Sequence, residues 1–151
     1  MTLLQILSGL KRPARTAKRL VGAGVVCLNP AGELLLIRRR DNGLWDVPGG
    51  RVEVGEGTEA AARRELLEEI GLKASPLGLL AVFSGPDTLH IYPDSNTVAW
   101  VTALYLCRSF SGRCVAGDDA AEAGWFRPGE LPEPSSATVP GYLKAVRVRI
   151  T

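Results

Sequence analysis

Little in the sequence speaks for a disulfide framework, a membrane or a nucleic-acid polymer. The three cysteines, Cys27, Cys107 and Cys114, form no C-x-x-C pair and leave one over in any disulfide scheme. Cys27 and Cys107 sit inside strand-like apolar runs and are expected as reduced core thiols. No apolar run approaches the roughly 20 residues of a membrane helix, so no membrane partner is expected. The basic residues Lys11, Arg12 and Arg15 follow the Leu3 to Leu10 apolar stretch rather than precede it. That order is unlike a secretory leader, and the expected compartment is the cytoplasm. A net charge of +2 is too small to imply binding to a nucleic-acid polymer. There are no internal repeats and no low-complexity linker.

What is present suits one globular domain. A chain of 151 residues buries roughly 70% of the surface its unfolded form exposes, enough for a core without staples. Hydrophobic residues make up 46% and charged residues 23%, which excludes an intrinsically disordered chain. Arginine outnumbers lysine heavily, with Arg38, Arg39 and Arg40 in one row. Forked guanidinium groups suit phosphate oxygens, although an Ala/Arg/Gly-rich composition arises equally from a GC-rich genome.

Residues 1–19 read as a basic appendage and 20–151 as the domain. Leu3, Ile6, Leu7 and Leu10 have helical spacing, and Lys11 to Arg19 carries five basic residues and no acid. Leu20 to Leu28 and Glu33 to Arg39 read as strands around the turn Asn29-Pro30-Ala31-Gly32, so a hairpin is expected. Asp41 to Pro48 reads as a loop, and Gly49-Gly50 as a break. Thr58 to Ile70 is the best helix, with Thr58 as N-cap and Gly71 as its stop. Further strands are expected at Leu77 to Phe83, Thr97 to Cys107 and Ala121 to Phe126, and a short closing helix at Tyr142 to Val148. Strands around one strong helix predict a mixed α/β layered domain.

On a wheel of about 100° per residue, Glu69 falls near 40° from Glu65 and Glu68 near 60° on the other side. Leu66, Ile70 and Ala62 make the neighbouring apolar stripe. Like charges at this spacing repel by a few tenths of a kcal/mol per pair. A solvated acidic face neutralised by Arg63 and Arg64 is one account of them. The preceding loop supplies another, because it adds Glu53 and Glu56 among the glycines Gly49, Gly50, Gly55 and Gly57. Five carboxylates with few compensating lysines have the composition of an oxygen-ligand site for a hard divalent cation. Mg²⁺ favours such a set of carboxylates, waters and substrate phosphates.

Gly50, Glu56, Arg64-Glu65-Leu66, Glu68-Glu69 and Gly71-Leu72 match every position of G-x5-E-x7-R-E-U-x-E-E-x-G-U, where U is a bulky aliphatic residue. This is the Nudix box, and Leu44-Trp45-Asp46-Val47-Pro48-Gly49-Gly50 resembles the segment that leads into it. The chain is identified as a member of the Nudix hydrolase family (MutT-like). The resemblance implies an α/β/α sandwich with a mixed β-sheet, a pyrophosphatase activity on small nucleotides, and Mg²⁺ as the metal, with Mn²⁺ as substitute. It implies metal ligands at Glu65, Glu68 and Glu69, joined by the Gly50 carbonyl and Glu53. Arg64 is expected to orient a carboxylate such as Glu56.

For the general base the candidates are Glu65 and Glu68 in the box, and Asp118, Asp119 or Glu122 beyond it. Arg38 or Arg39 could hold a phosphate. Phe83, Tyr92, Trp45 or Trp125 could stack on a base, each having core packing as its other role. His90 is expected as a solvated loop residue. The expected partner is a small nucleotide, with the protein a monomer or homodimer. The other functional reading is a nucleotide-sensing module of the same fold that does not turn its ligand over.

Overall fold

The computed structural model describes residues 18–91, 96–117 and 119–150. Along the chain, β1 (Lys18–Cys27), β2 (Leu34–Arg39), β3 (Trp45–Asp46) and β4 (Gly49–Arg51) precede α1 (Thr58–Ile70). β5 (Leu72–Ala74), β6 (Gly78–Phe83), β7 (Leu89–Ile91), β8 (Thr97–Cys107), β9 (Phe110–Gly112) and β10 (Ala120–Phe126) follow, and α2 (Val139–Ile150) comes last. One sheet runs β4-β1-β8-β6, with β7 also on β8; a second runs β10-β2-β3; β5 and β9 form a small pair. β1 and β8 are parallel and the other pairs antiparallel, so the larger sheet is mixed.

Side-chain alternation along the strands makes two cores, one on each face. Ala23, Val25 and Cys27 of β1 and Leu35 and Ile37 of β2 pack with Ala61, Ala62, Leu66 and Ile70 of α1. Val26, Leu34, Leu36 and Trp45 pack on the opposite face with Val139, Tyr142, Leu143 and Val146 of α2. The architecture is an α/β/α sandwich. Buried thiols at Cys27 and Cys107 belong to the α1 core, and all three cysteines are free.

The hairpin expected between the first two strands does not form. A tight turn is there, with Gly32 N–H donating to the Asn29 carbonyl at 2.9 Å, yet only the Leu28–Leu34 bridge joins the two strands. Both edges of β1 are already used, by β4 and by ten registered pairs with β8, so β2 is handed to the other sheet. Gly49-Gly50 is likewise no break but part of β4, opposite Gly24 and Ala23. A Cβ at Gly49 would lie 2.5 Å from the Ala23 carbonyl oxygen, so only glycine allows this approach.

β8 has the expected bounds, whereas the closing helix is longer at both ends than the sequence pattern indicates. Lys18 and Arg19, at the end of the expected appendage, lie in β1 opposite Val98 and Ala99. The remainder of that appendage, residues 1–17, lies outside the described residues. Among the described residues, no helix is long and apolar enough to cross a membrane.

Candidate active site

α1 is helical because Glu59 to Glu69 contains strong helix formers and no β-branched residue. Gly57, with extended backbone, takes the N-cap position expected of Thr58. The Thr58 hydroxyl is instead 2.7 Å from the Tyr105 hydroxyl, which ties the first turn to β8. Gly71 ends the helix in the left-handed region, φ 78°, its N–H donating to the Leu67 carbonyl at 2.9 Å.

Arg64 is the hub of the acidic cluster. Its Nε and Nη2 donate to the two oxygens of Glu56 at 2.8 and 2.9 Å, a forked contact. Nη1 donates to Glu65 at 2.9 Å and to Glu68 at 3.3 Å, and Nη2 also reaches the Arg51 carbonyl at 3.1 Å. The Arg64 hydrogen bonds, with a further one from the Glu53 N–H, hold the Glu56 carboxyl down at about 2. One guanidinium therefore joins the loop to the helix and ties up three of the carboxylates.

Glu69 behaves differently. It lies at the edge of the acidic arc nearest the apolar stripe and is 4% exposed. Its Oε1 accepts from the Gly49 N–H at 3.3 Å, and its Oε2 is buried with no hydrogen-bond partner. Burial first, then the hydrogen bond and charge of Glu65, push Glu69 up to about 9, against the pull of the Gly49 N–H and Arg39. In the metal-free site burial therefore favours the protonated form of Glu69. Gly50 makes room for this pair, since a Cβ there would sit 2.6 Å from the Glu65 carboxyl.

Among the described residues, no three acidic, histidine or cysteine side chains converge closely enough to hold an ion as they stand. The donor set nonetheless fits a hard divalent cation. An orphaned buried carboxylate oxygen, on an acid that burial pushes toward its protonated form, is a group that a cation would satisfy in place of the proton.

The proton that Glu69 retains predicts a pH dependence. A glutamate in the unfolded chain ionises near 4.5, so between that value and about 9 the metal-free folded protein holds a proton the unfolded chain has released. Stability must therefore fall as pH rises through this window. Melting in chelator from pH 5 to 9 should show a falling Tm, with a flatter profile in Glu69→Gln. Parallel profiles for the two proteins would refute the assignment.

The other candidates divide between the two faces of the sheet. Leu35 and Ile37 face α1, and Arg39 continues that alternation; it pairs with Asp41 at 3.0 Å and its charge is felt by Glu69. Arg38 follows Leu34 and Leu36 on the α2 face, where it meets Glu122 at 3.0 Å across β10. The structure thus brings Arg39 to the carboxylate cluster but not Glu122 or Arg38. Phe83 packs edge-on to Tyr142 of α2 at 4.9 Å, on the same face as Arg38.

Trp45 and Trp125 pack on Phe126 and Phe110. Glu53 is exposed at the loop tip, and His90 is exposed on β7 opposite Val98. Tyr92 and Asp118 lie outside the described residues. The Asp46 carboxyl accepts from the Val47 N–H at 2.7 Å and is pushed up to about 6, chiefly by burial.

A layered α/β domain gathers three glutamates around one arginine, with a fourth buried beside a glycine-rich strand. Comparison with known proteins specifies the family. The NUDIX domain model matches residues 18–146. The chain is 38% identical over 115 residues to a putative 8-oxo-dGTP diphosphatase of Bacillus subtilis, covering 74% of this chain and 68% of that protein. It is 39% identical over 104 residues to an ADP-ribose pyrophosphatase of Methanocaldococcus jannaschii, covering 67% of this chain and 58% of that one. Among solved structures, a MutT NUDIX hydrolase from Burkholderia pseudomallei superposes with a TM-score of 0.74 at 31% identity, over 85% of this chain and 98% of that one. The chain belongs to the Nudix family and is a Nudix hydrolase.

Proposed function

We propose that this protein hydrolyses the P–O–P linkage of a small nucleoside diphosphate derivative, a nucleoside triphosphate or an ADP-ribose-like compound, with Mg²⁺ as its metal. The observation that carries the reading is the buried, partnerless Glu69 oxygen beside Glu65 on the box helix. The names of the relatives, an 8-oxo-dGTP diphosphatase and an ADP-ribose pyrophosphatase, support both substrate types. Glu65, Glu68 and Glu69 would hold the metal, with the Gly50 carbonyl and Glu53 beside them. When bound, the cation would neutralise charge on the phosphate oxygens and make an attacking water more acidic.

The chain's own groups do the rest. Arg64 orients Glu56, Glu65 and Glu68, so that their oxygens stay in one arc. Glu68, whose side chain is 54% exposed, is the box carboxylate most open to an incoming water and is assigned as the proton acceptor. Arg39, on the α1 face of β2, would meet a phosphate oxygen. Water attacks one phosphorus, the bridging oxygen departs with the other phosphate, and the proton passes to the base.

A panel of nucleotides incubated with Mg²⁺ tests this. Nucleoside triphosphates and ADP-ribose should be cleaved, with chromatography identifying the products, while AMP should be inert because it lacks a bridging oxygen. Cleavage in ¹⁸O-water locates the attacked phosphorus. Orthophosphate released from AMP as fast as from the best diphosphate would overturn the assignment. Tight binding of a nucleotide without turnover would point to a sensing role instead.

A further inference from the structure

The box helix carries its acids at the wrong end. Glu65, Glu68 and Glu69 occupy the last two turns, there is no basic residue in the last turn, and a helix C-terminus is already the negative pole. The last carbonyls also need donors from outside the helix. Gly71 serves Leu67, and two of the others are served by a segment more than forty residues further along the chain. The Gly117 N–H donates to the Glu69 carbonyl at 2.6 Å and the Val115 N–H to the Ile70 carbonyl at 2.9 Å.

This strap, residues 113–117, lies backbone against backbone on the helix end. A Cβ at Gly117 would collide with the Glu68 carbonyl oxygen and come within 3.2 Å of that of Glu69. One at Gly112, where φ is +103°, would be 2.5 Å from the Gly71 carbonyl oxygen. Both ends of the strap are anchored in the body. Gly112 pairs with Leu72 between β9 and β5, and the Gly117 carbonyl accepts from Ala120, which is fully buried in the α1 core.

We propose that Gly117 is a positioning residue for the metal-binding carboxylates. Its N–H and its missing side chain fix the last turn of α1, so that Glu69 is held against Gly49 and Glu68 against Arg64. The proposal rests on the reading above, in which those carboxylates hold a divalent cation. It assigns a role in the site to a glycine that lies outside the box motif.

The test is Mn²⁺ binding without substrate, followed by electron paramagnetic resonance, on the parent, two variants at position 117 and one control variant. Gly117→Ala adds the offending atom. Replacing the amide at position 117 by an ester removes the hydrogen bond to Glu69 and adds no atom, so it decides the matter if the alanine variant fails to fold. Both should weaken Mn²⁺ affinity at least about 10-fold. At saturating metal, KM for the nucleotide should stay near the parental value. Gly129→Ala, at a glycine with open space around it, should change nothing. A parent that binds Mn²⁺ while the ester variant binds it equally well would overturn the role of Gly117 alone. A parent that binds no Mn²⁺ would overturn the reading of the site, and this role with it.

Discussion

Glu69→Gln is expected to lower turnover with Mg²⁺ at least about 100-fold while leaving the metal-free protein as stable as the parent, or more so. The two halves of this expectation share one cause. Without metal, Glu69 is a protonated acid in a buried site, and the amide is its close isostere. The amide oxygen can still accept from Gly49, and the amide carries no charge to bury. What the amide cannot supply is the negative charge that a cation needs. Glu65→Gln should lose activity to a similar degree, with the added loss of its ion pair to Arg64. Steady-state kinetics and melting in chelator check both halves. Near-parental turnover in either variant would remove these residues from the site.

Arg64→Lys should be far from conservative, with turnover down roughly 10- to 100-fold and KM for the nucleotide little changed. The planar guanidinium reaches both Glu56 oxygens, Glu65, Glu68 and the Arg51 carbonyl at once. An ammonium is a point charge on a flexible stem and cannot hold that many partners in one plane. Acid stability offers a second readout. Arg64 depresses Glu56 to about 2, so the stabilisation it provides is present above the ordinary glutamate range and is lost as pH falls through about 2. Arg64→Lys should bring that loss to a higher pH. A variant with parental turnover and acid limb would leave Arg64 as charge balance only.

The sequence by itself determined what depends on neighbours within a turn or two. Periodicity placed Glu65, Glu68 and Glu69 on one arc of a helix, Gly71 marked its end, and the β-branched and aromatic run Thr97–Cys107 marked a strand at its true bounds. These are legible because helix and strand repeats are local, and the residues that set them are adjacent in the chain.

Tertiary structure alone decided which of those acids is buried. A wheel places Glu69 at the border of the apolar stripe, but only the approach of β4, through two glycines without side chains, closes over it. The same holds for strand partners. The turn after Leu28 looks like a hairpin from within, yet the parallel ladder with β8, some eighty residues away, takes the edge that β2 would have used. Glu122 reads as a free carboxylate in the sequence and is held by Arg38 on the far face, because the alternation of β2 sends Arg38 and Arg39 to opposite sides. Pairings across the chain depend on which edges and faces remain open once the cores have closed, and no local pattern carries that information.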